Sequence, residues 1–122
     1  DPLFDRFDTF GASAVDLAGP VAPGVGRVVP EIKRAVALEP GYVGLLLPEL
    51  PQLARRILRA PVRNVFDHAV FKQPNTAALT DWHQDAAYNS SRWPVRSVHF
   101  WIPLQPVTES NGCLSFIPGS HR

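Results

Sequence analysis

Between Leu50 and Leu58 the apolar positions fall at Leu50, Leu53, Ala54, Ile57 and Leu58, the spacing of one helix face, while Gln52, Arg55, Arg56 and Arg59 take the opposite face. This predicts a helix from about Pro48 to Arg59, stopped by Pro61. A shorter helix is expected over Pro30–Leu38. Pro30 and Glu31 suit a helix start, Ile32, Ala35 and Val36 share a stripe, and Pro40-Gly41 ends it. Nearer the start, Phe4, Phe7 and Phe10 recur every third residue before Gly19-Pro20 and Pro23-Gly24-Val25-Gly26, so a short helical turn followed by an irregular loop is expected.

From Val62 the period shortens to two. Val62, Asn64, Phe66, His68 and Val70 alternate with Arg63, Val65, Asp67, Ala69 and Phe71, a strand with mixed faces covered on both sides. Lys72 to Thr76 reads as a turn, and a short strand from Leu79 to His83 follows. The loop Asn89 to Pro94 leads to a strand over Val95–Leu104. There Val98, Phe100, Ile102 and Leu104 form an apolar side and Ser97, His99 and Trp101 a polar one. Glu109 to Gly112 is a turn in which Asn111-Gly112 supplies positive φ, Cys113 to Ile117 is a last strand, and Pro118-Gly119 closes it.

Chemistry enters at Trp82-His83-Gln84-Asp85. On an extended chain residues two apart point the same way, so His83 and Asp85 can close on one metal ion. One imidazole and one carboxylate are two thirds of a 2-His-1-carboxylate set, which leaves part of an iron's coordination sphere open. The same pair also suits a solvated strand end, or a His hydrogen-bonded to a carboxylate. On the polar side of the Val95–Leu104 strand, His99 and Trp101 fit a cavity wall for a small polar ligand, or ordinary strand packing.

Four segments in order, Trp82 to Tyr88, His99 to Leu104, Asn111 to Leu114 and Ile117 to Arg122, resemble the phytanoyl-CoA dioxygenase family of Fe(II)/2-oxoglutarate oxygenases. The likeness runs from about Val62 to the last residue. It implies a mainly β fold with N-terminal helices, a partial double-stranded β-helix of the jelly-roll, cupin-like kind. Residues 1–61 would form an irregular and helical region packing on the core, and residues 62–122 the first part of the oxygenase core. The implied chemistry is hydroxylation of an unactivated C–H bond of a small organic substrate, using Fe(II), O2 and the cosubstrate 2-oxoglutarate and releasing succinate and CO2.

By that resemblance His83 and Asp85 hold iron and Trp101 lines the 2-oxoglutarate pocket. Gln84, between the ligands and facing the other way, is a weaker candidate for cosubstrate or ligand support. Tyr88, Trp93 and His99 are candidate substrate contacts, with simple packing the alternative for the aromatics. The resemblance places the second metal-binding His and the Arg for the distal carboxylate of 2-oxoglutarate beyond this segment. His121 stands 38 residues after His83, yet in a Gly-Ser-His-Arg turn a His more often bonds backbone or solvent. The chain begins Asp1-Pro2 without a methionine and stops just after a Pro-Gly-Ser turn, which reads as a piece of a longer protein.

Composition changes little. At 122 residues, 45% hydrophobic and 19% charged, the chain can bury a core. A net charge of +1 with scattered Lys and Arg gives no basis for nucleic-acid or membrane binding. The lone Cys113, in an apolar stretch, is expected as a buried thiol rather than a nucleophile. Lacking a long apolar run or a signal-like start, the chain is expected to be soluble and cytoplasmic. Two other readings stand beside the oxygenase: a Zn or Mn enzyme of non-redox chemistry, and a non-catalytic binding module on the same scaffold. The sequence does not identify the substrate or the oligomeric state.

Overall fold

Pro30 opens a strand, not a helix. In a computed structural model, which describes residues 2–19, 26–39, 41, 48–76, 79–88 and 96–120, β2 (Pro30–Lys33) is the middle strand of a three-stranded antiparallel sheet. Its neighbours are β1 (Ala14–Asp16) and β3 (His68–Val70). A proline is tolerated at the first residue of a strand, where its missing N–H breaks no ladder bond, and the Pro30 carbonyl still accepts from the Phe71 N–H at 2.9 Å. The helix expected over Pro30–Leu38 is thereby reduced to one turn, α2 (Ala35–Leu38). Burial on both faces decided the outcome: Ile32 is 0% exposed and Glu31 5%, the signature of a central strand.

Ile32 faces Ala14 on one neighbour and Ala69 on the other, and with Phe7 and Ala35 it forms the core, flanked by Phe4, Phe10 and Leu38. The three-residue spacing of the phenylalanines is realised in α1 (Pro2–Asp5) and a 3-10 helix over Phe7–Ser13. The Arg27 guanidinium covers the Phe7 ring at 4.3 Å and pairs with Asp8.

Two aspartates fasten the connections. Asp16 accepts backbone N–H bonds from Ala18 (2.9 Å), Val28 (2.8 Å) and Val29 (3.1 Å). Asp67 takes the Val36 N–H on its carboxylate (2.9 Å) and the Arg34 N–H on its carbonyl (2.8 Å), which fixes the start of α2. On the opposite sheet face from Ile32, Glu31 pairs with His68 Nδ1 and lies 4.0 Å from Lys33 Nζ.

The helix α3 (Leu50–Leu58) follows its periodicity to within two residues, with Pro51 in its first turn and Arg59 in the left-handed region beyond it. Its stripe is only partly covered, however. Ala54 is buried while Leu53 and Ile57 are exposed.

The chain divides into two compact units, Asp1–Thr80 and Asp81–Arg122. The strand expected over Val62–Phe71 is confined to His68–Val70, in the first of them. Those expected at Leu79–His83, Val95–Leu104 and Cys113–Ile117 are absent among the described residues. Alternation names a face but not a partner, and a strand persists only when its N–H and C=O groups find a ladder. In the second unit the described backbone bonds are those of turns: Ala87 to Gln84, Asn111 and Cys113 to Thr108, and Ser120 to Ile117. The period of two survives in burial, since Val98 and Phe100 are half-buried and Ser97, His99 and Trp101 exposed, but Ile102 and Leu104 are exposed as well. The described residues show a small antiparallel sheet and short helices, and the expected partial jelly-roll is not seen among them. The turns match their residues: Gly112 at φ 101° follows Asn111, whose side chain accepts from the Thr108 N–H (2.5 Å) and donates to the Pro106 carbonyl (3.0 Å). Cys113 is half-buried rather than in a core. Among the described residues no helix is long and apolar enough to cross a membrane.

Candidate metal centre

His83 precedes a 3-10 turn over Asp85–Tyr88, so the strand geometry that suggested the pair is not what joins it. The Asp81 carbonyl lies 2.7 Å from His83 Nδ1, which assigns the ring proton to Nδ1 because a carbonyl can only accept. That leaves the lone pair on Nε2, and Nε2 faces Asp85 Oδ1 at 3.4 Å. At that separation the two atoms can share either a proton or a cation. A divalent ion about 2.0–2.2 Å from each of two neighbouring ligands separates them by about 2.9–3.5 Å, so the spacing fits. A His that gives its other ring N–H to a backbone carbonyl is also the usual arrangement of a metal ligand.

The other oxygen of Asp85 is engaged. His99 Nδ1 lies 2.7 Å from Oδ2, and His99 Nε2 lies 3.1 Å from Ser97 Oγ. Ser97 and His99 were legible as one polar face. Their meeting with Asp85 was not, since nothing local links positions fourteen apart. Gln84 donates its side-chain N–H to the Ser120 carbonyl, bracing the His83–Asp85 segment against the Pro118–Gly119 turn. That contact involves a backbone carbonyl, which carries no sequence signal.

Trp101 is about half exposed, and Tyr88 closes the 3-10 turn. Trp93, His121 and Arg122 lie outside the described residues. Among the described residues no group of three His, Cys, Asp or Glu forms a complete metal site. His83 and Asp85 bring two potential ligand atoms together, and His99 lies against the second oxygen of Asp85. A separate cleft of about 720 Å³ in the first unit is lined by Ser13, Lys33, Arg34, Asn64, Phe66 and Asp67 among others, and by none of the candidate site residues.

Residues 6–122 match the family model described as phytanoyl-CoA dioxygenase (PhyH). Phytanoyl-CoA dioxygenase domain-containing protein 1 of Danio rerio is 40% identical over 53 residues, 43% of this chain and 18% of that protein. The protein of the same name from Mus musculus is 37% identical over 75 residues, 61% of this chain and 25% of that protein. The L-proline trans-4-hydroxylase of Streptomyces griseoviridis is 35% identical over 79 residues, 62% of this chain and 30% of that protein. The chain thus spans less than a third of the length of these relatives. No solved structure gives a significant match. With the match covering all but the first five residues, the chain belongs to the phytanoyl-CoA dioxygenase (PhyH) family.

Proposed function

We propose that the complete protein is an Fe(II)- and 2-oxoglutarate-dependent dioxygenase that hydroxylates an unactivated C–H bond of a small organic substrate, releasing succinate and CO2. The carrying observation is the convergence of His83 Nε2 and Asp85 Oδ1 at 3.4 Å, with the imidazole proton held away on the Asp81 carbonyl, in a chain of the PhyH family. The name of a relative that hydroxylates proline supports the hydroxylation reading.

In this reading His83 and Asp85 hold the iron, which supplies the activation of O2 when bound. Asp81 fixes the tautomer of His83 through its carbonyl, and Gln84 holds the ligand segment to the turn at Ser120. Trp101 lines the 2-oxoglutarate side, and Tyr88 and Trp93 contact the substrate. A further His and an Arg for the distal carboxylate of 2-oxoglutarate come from outside the described residues. The segments 96–104 and 113–117 are strands of a double-stranded β-helix in the complete protein. The alternating exposure of Ser97 to Trp101 and the exposed side chains of Leu114 and Phe116 support this.

The test is succinate formation by the full-length protein. It should require both Fe(II) and 2-oxoglutarate and vanish in His83→Ala. Turnover that persists without Fe(II), or in that variant, rejects the proposal.

A further inference from the structure

We propose that His99 is the positioning residue of the metal centre. It holds one oxygen of Asp85 so that the other stays turned toward His83. This rests on the metal-binding reading above and assigns a role that reading leaves open.

A carboxylate on a short side chain can rotate about its last bond, and an unrestrained Asp85 would exchange its two oxygens. The geometry ends that equivalence. Oδ2 lies 2.7 Å from His99 Nδ1, and Oδ1 lies 3.4 Å from His83 Nε2. A carboxylate accepts only, so His99 must present Nδ1–H, and its Nε2 then accepts the Ser97 hydroxyl proton at 3.1 Å. Ser97 thereby fixes the tautomer that Asp85 needs. The same accounting removes two other roles for His99. Both ring nitrogens are engaged, which leaves no lone pair for the metal and no donor aimed at a substrate. The His99 and Asp85 side chains are 60% and 51% exposed, so the pair adds little to folding stability. Its effect should appear in metal affinity.

The experiment uses Co(II) alone as an air-stable probe, titrated into the full-length protein and followed by calorimetry and by the d–d absorption bands. Asparagine can put an N–H where Nδ1 stands, while glutamine, one methylene longer, puts it near Nε2. Supporting partners of metal ligands are worth about 10- to 100-fold in affinity, so His99→Gln should weaken Co(II) binding by that factor and shift the bands, while His99→Asn stays within about threefold of the parent. Thermal midpoints of both variants without metal should match the parent. Equal Co(II) affinity and spectra in His99→Gln and the parent overturn the inference, as does an equal loss in both variants. His83→Ala separates the levels. If it binds Co(II) as well as the parent, or the parent binds none, the metal reading falls and takes this inference with it. If His83→Ala loses binding while the Asn and Gln variants do not differ, only the role of His99 is overturned.

Discussion

Asp85 divides its two oxygens between two histidines: Oδ2 is 2.7 Å from His99 Nδ1 and Oδ1 is 3.4 Å from His83 Nε2. The shorter distance is a hydrogen bond. The longer one brings Nε2 of a ring whose Nδ1 faces the Asp81 carbonyl up to the second carboxylate oxygen. Each oxygen of the carboxylate thus faces the ring nitrogen of a different histidine.

Asp85→Asn tests that division. The amide oxygen can still accept from His99, but the charge facing His83 is gone. Co(II) affinity of the full-length protein should fall by at least about 100-fold, beyond the effect of losing a supporting partner. Circular dichroism should be unchanged, because Asp85 is half exposed and outside the core. Co(II) binding by Asp85→Asn at the parent's affinity would remove Asp85 from the ligand set.

How much of this could be read beforehand depended on how locally each feature is specified. The helix at Leu50–Leu58 repeats its pattern over nine residues, long enough to be unmistakable. The strand Pro30–Lys33 could not be told from a helix start, since proline followed by an acid suits both and only burial of Ile32 and Glu31 on opposite faces separates them. The strand Ala14–Asp16 exists through its pairing with Pro30–Lys33 and has no signal of its own. At the site, His83 with Asp85 and Ser97 with His99 were each visible as residues two apart. What joins the two pairs is tertiary.

Ile32 carries the first unit's core. It is fully buried between Ala14 and Ala69, whose methyl groups cannot expand into a vacancy. Ile32→Ala should cost about 2–5 kcal/mol, a large part of a typical domain's stability. Urea unfolding followed by far-UV circular dichroism measures it, and a loss below about 1 kcal/mol would mean that the sheet is not packed as described.

Glu31 is buried against His68 Nδ1, with Lys33 Nζ 4.0 Å from its other oxygen. His68→Ala removes the direct partner and leaves the carboxylate dependent on a lysine 4.0 Å away. The expected cost is about 1–3 kcal/mol. In the double variant His68→Ala, Glu31→Gln much of that loss should return, because the stranded charge is gone. Purely additive losses in a double-mutant cycle by urea unfolding would argue against the pairing.

Asp16 gives the first unit an acid-sensitive clasp. Burial pushes its carboxyl pKa upward, but the N–H groups of Ala18, Val28 and Val29, with Arg27 nearby, outweigh that and leave it below the ordinary carboxyl value of 3.8. A folded-state pKa below the unfolded one contributes stability that is present above the unfolded value and lost as pH falls through the folded value. Asp16→Asn should therefore destabilise the protein at neutral pH by about 1–2 kcal/mol, since the amide offers one acceptor where three N–H groups need two. The difference between variant and parent should shrink as the pH is lowered from 3.8 through the depressed native value. Urea midpoints across that window provide the check, and a difference that stays constant or grows toward acid would show that Asp16 does not hold the connection between the first two strands as an anion.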